Sequence, residues 1–393
     1  MSKNPSIYID AEALSTLALM QAGITAPIFK LMNKQESEEA NKTKLFNGHP
    51  VPFSSTLAPK GKRNRVVLKS LKKGDLTDII CEGKKVGEII VDETYEIDPF
   101  ERLETIYGTR DPSHPGVNRS MKRLGDIAIC GELSLEDTLA DENVSRVNAF
   151  IEENNAKFVT SIVLTANPLN RAHEYIIRQA ISQCDLLIIF LRKPFYEVDL
   201  PYEVRYSALE KFVTNFLPPN KVLVIPHESA YKFAGYNELI IDAMFTKNYG
   251  CQQLVIGKDH AGLGLHYNDN KLQTIFDNLA NTGIHIKTVD EYVYCEICAT
   301  SVGADTCPHG RHHHIHYHGH SIMKLIKSGI IPPSIFIRKE ISAHILSSLF
   351  PERFEAIQEL YYDLMPNNGL LVAPTEEEFY LKLIDLYRIS SPH

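Results

Sequence analysis

Tryptophan is missing from the chain, and so is any apolar run long enough to cross a bilayer. The first absence excludes nothing, since 44% hydrophobic and 23% charged residues are ordinary for a soluble globular protein. The second removes helical membrane spans from the expectations. Positive charge is also short: 41 Lys and Arg stand against 49 Asp and Glu, a formal net charge of −8. That balance speaks against a nucleic-acid partner held by phosphate neutralisation. The opening residues, MSKNPSIYIDAEAL, lack the apolar core of a signal peptide, so a cytoplasmic protein is expected.

What is present is best read from the stretch Phe158 to Cys184. Val159 to Leu164 is short, apolar and rich in β-branched residues, which suits a buried strand. Thr165, Ala166, Asn167 and Pro168 break it. From Arg171 onward Ala172, Ile176, Ile177, Ala180 and Ile181 recur at helical spacing. A strand that feeds a helix through a polar turn presents backbone N–H groups and a helix N-terminus to an anion. His173 and Glu174 fall in the first turn of that helix.

A chain of 393 residues suggests two or three domains. Residues 1–155 read as a β-rich domain of short strands, among them Arg65–Leu68, Ile79–Cys81 and Lys85–Val91, separated by polar turns. The basic run from Lys60 to Lys73 is expected as a solvated loop, because acidic residues follow at once. Residues 156–320 alternate strands and helices, with strands at Val159–Leu164, Leu186–Leu191, Val222–Ile225 and Leu254–Ile256. That alternation predicts an α/β fold with a parallel sheet and ligands at the carboxyl ends of its strands. Residues 321–393 read as a small helical C-terminal region.

Of the seven cysteines, Cys81, Cys130, Cys184 and Cys251 lie among apolar neighbours and are expected as buried thiols. Cys295, Cys298 and Cys307 cluster within about residues 291–315. In a reducing compartment such a cluster reads as metal before disulfide. Two cysteines separated by two residues form a knuckle whose sulfurs converge on one Zn²⁺, and a later Cys and His complete a tetrahedron. His309 and His312 compete for the fourth place, and four protein ligands make the zinc structural. His316, His318 and His320 share one face if that segment is a strand.

Several motifs resemble those of ATP sulfurylases. Gly108-Thr109-Arg110-Asp111-Pro112-Ser113-His114-Pro115-Gly116-Val117 is similar to that family's FGTxDPxHPGV. Lys247-Asn248-Tyr249-Gly250-Cys251 and Gly257-Lys258-Asp259-His260-Ala261-Gly262 resemble KNYGC and GRDHAG. The turn Leu164 to His173 resembles QxRNPxHxxH, keeping Asn167, Pro168 and His173. The Gln, Arg and first His of that pattern are Leu164, Ala166 and Asn170 here. Many bacterial and archaeal members also carry a zinc-binding CxxC…CPH segment like this one.

The resemblance implies a PUA-like N-terminal domain, a Rossmann-like nucleotidyltransferase domain and a small helical C-terminal region with a zinc knuckle. It implies the reaction of ATP with sulfate to give adenosine 5′-phosphosulfate and pyrophosphate. ATP with Mg²⁺ and a small oxyanion would be its ligands, in a homo-oligomer such as a dimer. Carried over by position, Asn167, Asn170 and His173 are the catalytic candidates. Asn167, His173, Gly257, Lys258, Asp259, His260 and Ala261 are the nucleotide-binding candidates. Leu164 and Ala166 offer a sulfate oxygen no side-chain donor. Arg192 and Lys193, at the end of a strand, are the candidate replacements, together with Ala261. Another oxyanion acceptor, or a non-catalytic homologue acting as a binding or subunit protein, is the alternative.

Overall fold

The computed structural model describes residues 4–136, 138–195, 199–228, 231, 233–257, 283–289, 291–351 and 375–388. The chain forms two compact units that interleave along its length. The first comprises Met1–Val163, Cys184–Phe195 and Ile225–Val289, and the second Leu164–Gln183, Tyr196–Val224 and Asp290–His393. Among the described residues no helix is long and apolar enough to cross a membrane.

The first unit opens with β1 (Ser6–Ile9), α1 (Ala11–Gln21), α2 (Lys34–Thr43), β2 (Leu45–Phe46), β3 (His49–Pro50) and β4 (Leu57–Pro59). It continues with α3 (Lys62–Ser70), β5 (Leu76–Cys81), β6 (Lys84–Glu96), α4 (Pro99–Tyr107), α5 (Pro115–Arg123), β7 (Leu124–Leu135) and α6 (Leu139–Glu153). Five strands form a mixed sheet in the order β1-β5-β6-β7-β4, with β1 parallel to β5 and the remaining pairs antiparallel. Along β5 every second residue (Thr77, Ile79, Cys81) is buried, the alternation that one covered face demands.

Two expectations fail here for one reason. Most of the basic run is not a solvated loop, and Arg65–Leu68 is not a strand: Lys62–Ser70 forms α3. Asn64 is buried, and its side chain accepts from the Tyr8 amide (2.7 Å) and donates to the Tyr8 carbonyl (2.8 Å). That pair of bonds docks the segment on the edge of β1 and leaves the lysines facing water.

A second sheet contains β8 (Val159–Leu164), β9 (Leu186–Arg192), β10 (Val222–His227), β11 (Gln253–Gly257) and β12 (His285–Val289), in the order β10-β9-β8-β11-β12. β11 runs parallel to both β8 and β12. Every residue of β8 and β9 is buried, as in a parallel sheet covered on both faces. The helices α7 (Arg171–Ile181), α8 (Tyr202–Phe216) and α9 (Tyr236–Asn248) alternate with these strands. The order reverses between β8 and β11, and doubly wound sheets hold ligands at the carboxyl ends beside such a reversal.

The second unit holds α7, α8 and a three-stranded antiparallel sheet in the order β14-β13-β15: β13 (Tyr292–Cys295), β14 (Thr300–Gly303) and β15 (His314–His316). Three further helices follow, Gly319–Lys327, Lys339–Leu349 and Glu376–Arg388. α8 packs on Lys339–Leu349, where Ser207 Oγ and His344 Nε2 lie 2.8 Å apart.

Candidate functional site

Within the second unit, the turn between β8 and α7 is held by residues remote in sequence. Arg205, 1% exposed, donates from Nη1 to the Thr165 carbonyl (2.6 Å) and from Nε to the Leu200 carbonyl (3.1 Å). Asn167 Oδ1 accepts from the Leu200 amide (3.1 Å). The Asn167 side chain therefore uses its acceptor to fix the turn. A Cβ at Gly319 would lie 3.2 Å from the Asn167 carbonyl oxygen, so the start of the helix Gly319–Lys327 sits directly against this turn. Ala166 adopts a left-handed φ of 47°, unusual for a residue with a Cβ, and is buried.

Asn170 caps α7. Its Oδ1 accepts from the His173 amide, and His173 Nδ1 accepts from the Asn170 amide, each at 3.2 Å. An Nδ1 that accepts leaves the proton on Nε2. Burial pushes the His173 imidazole down to about 4, although part of the residue still reaches solvent. At neutral pH it is thus an uncharged ring with an Nε2–H donor, one turn inside a helix N-terminus. Glu174 beside it is buried and bridged by Arg171 Nη1 (3.1 Å) and Arg338 Nε (2.8 Å), while Arg171 Nε donates to the Ser334 carbonyl (3.0 Å). The structure therefore gathers Asn167, Asn170 and His173 on one short turn.

Arg192, Lys193 and Gly257 belong to the first unit. Arg192, the last residue of β9, is buried, and its Nη2 contacts Asp242 Oδ2 at 2.5 Å and Glu238 Oε1 at 2.8 Å. His227 Nε2 lies 3.6 Å from Asp242 Oδ1, and burial keeps this imidazole below its ordinary range. The charge of Arg192 is thus already met by two carboxylates of α9. The spacing of Glu238 and Asp242, four residues apart on one helical face, was the signal in the sequence. Lys193 Nζ pairs with Glu228 Oε1 at 2.9 Å. Gly257 closes β11. Lys258, Asp259, His260 and Ala261 lie outside the described residues.

The cysteine cluster is assembled by the hairpin of β13 and β14. β13 ends at Cys295, Ala299 turns the chain with φ 51°, and the Cys298 amide points at Cys295 Sγ at 3.5 Å. His309 Nδ1 lies 3.4, 3.2 and 3.6 Å from the sulfurs of Cys295, Cys298 and Cys307. Cys298 and Cys307 sulfurs are 3.9 Å apart. A tetrahedral Zn²⁺ with ordinary bond lengths has S···S edges of about 3.8 Å and S···N edges of about 3.6 Å. The four donors thus already stand near the corners such an ion requires, and all their ligand atoms lie within 4.8 Å of one another.

His309, not His312, completes this group. The His312 ring lies tilted against His313, with centroids 4.0 Å apart, and packs against Gly310. The histidines beyond do not share one strand face, because β15 ends at His316 and the next helix starts at Gly319. His316 Nδ1 instead meets Glu291 Oε1 at 2.7 Å.

A family model described as ATP-sulfurylase matches residues 141–348, more than half of the chain. The chain belongs to the ATP-sulfurylase family. A second model, described as a PUA-like domain, matches residues 1–138 and so covers the whole first sheet. The sulfate adenylyltransferase of Chloroflexus aurantiacus is 29% identical over 348 residues, covering 86% of this chain and 89% of that protein. That of Symbiobacterium thermophilum is 29% identical over 357 residues, covering 88% and 89%. Among solved structures, a hexameric APS kinase from Thiobacillus denitrificans superposes with a TM-score of 0.64 at 15% identity. That likeness covers 89% of this chain and 64% of the other, and it speaks for the fold alone. Members of the ATP-sulfurylase family related to this chain are thus adenylyltransferases by name, and its Cys295, Cys298, Cys307 and His309 form a group that can hold a metal such as zinc.

Proposed function

We propose that this protein transfers the adenylyl group of ATP to a small oxyanion other than sulfate and releases pyrophosphate. An acceptor oxygen attacks the α-phosphorus, the bond from that phosphorus to the bridging oxygen breaks, and pyrophosphate leaves with its Mg²⁺. Such a transfer asks the protein mainly for positioning and for donors aimed at the growing negative charge. The observation that carries the reading is the turn 164–173, where a neutral His173 offers Nε2–H at the start of α7. Asn170 aims that ring, and Asn167 with Arg205 holds the turn. Gly257 and the following Lys258, Asp259, His260 and Ala261 are proposed to complete the nucleotide site, on the strength of their motif.

Sulfate is a poor fit because Leu164 and Ala166 are apolar and buried, and Arg192 is committed to Glu238 and Asp242. A dianion without a charge-assisted partner is expected to bind roughly a hundredfold more weakly. Lys193, partly exposed, is the remaining candidate for the acceptor's charge. We further propose that Cys295, Cys298, Cys307 and His309 hold a structural Zn²⁺, leaving no open coordination position, and that the protein is a cytoplasmic homodimer.

The test is pyrophosphate release from Mg-ATP with sulfate, molybdate, phosphate or a phosphonate. Sulfate should be the poor member of that set, and Leu164→Gln with Ala166→Arg and Asn170→His should raise its rate. Turnover of sulfate by the unaltered protein at about 1–10³ per second would overturn the acceptor argument. Absence of ATP binding by calorimetry, with no release for any acceptor, would instead favour a non-catalytic homologue.

A further inference from the structure

The first unit contains a cavity of about 430 Å³ that shares no residue with the turn 164–173. Its floor is β1 and β4, and its walls come from α1, α4 and α9. The lining is mostly aliphatic and aromatic, with Leu17, Met20, Leu57, Ile241, Met244 and Phe245 as its main apolar surfaces. A volume of this order, apolar with a few polar groups, is that of a small-molecule site.

The polar group that gives it a sign is Arg102 of α4. This side chain lines the cavity and is only 6% exposed. Nη1 donates to Ser54 Oγ (2.8 Å), Nη2 donates to the Ser54 carbonyl (2.7 Å), and the guanidinium lies 5.1 Å from the Phe53 ring centroid. Five N–H donors are present, so these two bonds leave three. Among the described residues no carboxylate pairs with it. Two other arginines of this unit are treated differently: the buried Arg192 has Asp242 and Glu238, and the half-buried Arg123 has Asp10 and Glu12. A like charge lies within reach of Arg102. Burial first, and the Arg102 guanidinium second, hold Lys44 below the usual lysine range. Lys60 and Lys122, both exposed, also line the cavity and add positive charge on its solvent side.

A buried guanidinium without a counter-ion is costly unless an anion is supplied. Here the space beside it is apolar. We propose that this cavity binds a small organic carboxylate with an apolar body, its head on Arg102 and its tail among the α1 and α9 side chains. A carboxylate matches the planar fork of the guanidinium, which inorganic anions do without using the apolar volume.

Calorimetry on the whole protein with octanoate, and with 1-octanol as its uncharged counterpart, tests this. Octanoate should bind once per chain and at least tenfold more tightly than 1-octanol. Arg102→Gln should weaken octanoate at least tenfold and leave 1-octanol unchanged, while Arg102→Lys should retain part of the preference. Met244→Trp, which fills the tail space and leaves Arg102 in place, should block both probes. The proposal is overturned if octanoate gives no binding heat at millimolar concentration, if both probes bind equally, or if octanoate ignores Arg102→Gln and Met244→Trp alike. Neither probe touches adenylyl transfer, so failure here leaves the proposed reaction standing.

Discussion

Burial holds the His173 imidazole far below its ordinary proton affinity, and the cap of α7 fixes which nitrogen of the neutral ring carries the proton. Nδ1 is occupied by the Asn170 amide, so a second proton would break that bond as well as charge a ring only partly open to water. With a folded value of about 4 and an unfolded value near 6.5, the unfolded chain binds the extra proton first as pH falls. Stability contributed by His173 is therefore complete above about pH 6.5 and is lost progressively down to about 4. The loss should be on the order of 1–3 kcal/mol, reduced by the partial exposure of the ring. Urea midpoints at pH 7 and pH 5 for the protein and for His173→Gln should show a smaller pH dependence in the variant; equal slopes would refute this. Asn170, a departure from the family pattern, has a local role in the same cap, where its side chain satisfies the His173 amide.

Elements, rather than single residues, explain the longest motif match. Gly108 to Val117 ends α4 and starts α5: Gly108 takes φ 70° as the helix stops, Asp111 accepts from the Ser113 amide, and Pro115 opens α5 behind its cap His114. A Cβ on Gly116 would lie 2.4 Å from the Tyr107 ring, so only glycine lets the two helices close. The hairpin of β13 and β14 poses the opposite case. It is short, its residues are largely half-buried, and it carries two of the four metal donors, Cys295 at the end of β13 and Cys298 in the turn. Its stability should therefore depend on the ion. Cys298→Ser is expected to lower bound zinc from one per chain to near zero by elemental analysis. Hydrogen exchange should rise across residues 292–316, with α1 to α6 unaffected. Unchanged zinc content and unchanged exchange would show that the cluster is not a metal centre.

At the scale of the whole molecule, the first unit is not a segment of sequence. α9 supplies Asn237, whose Nδ2 donates to the Thr105 and Ile106 carbonyls (3.1 and 2.7 Å), and Asn248, whose Nδ2 donates to those of Ile24 and Ala26 (2.8 and 3.0 Å). Ser15 Oγ donates to the Glu228 carbonyl (2.7 Å), and Asn143 Nδ2 to that of Pro226 (3.1 Å). An isolated fragment of residues 1–155 would leave these groups and the apolar faces of α1 and α6 uncovered. It should melt over a broad range and bind a hydrophobic dye, as followed by circular dichroism and fluorescence. A sharp melt without dye binding would show that the β-rich part folds without the later segments.

Some of this was readable from the chain alone. The strands β8 to β11 were legible as apolar runs, α7 as helical spacing from Arg171, and Cys295, Cys298 and Cys307 as a metal set. Such signals are short-range: periodicity and knuckle spacing are complete within a few residues. The basic run at Lys60 misled because its helix is docked by Asn64 on Tyr8, 56 positions away. The choice of His309 over His312, the proton on His173 Nε2 and the use of Arg192 by Glu238 and Asp242 came only with the tertiary structure. Each is an electrostatic or hydrogen-bonding question whose answer depends on which group arrives within about 3 Å, and on whether water is excluded there. Composition and spacing name the chemical groups; packing decides their partners and their protons.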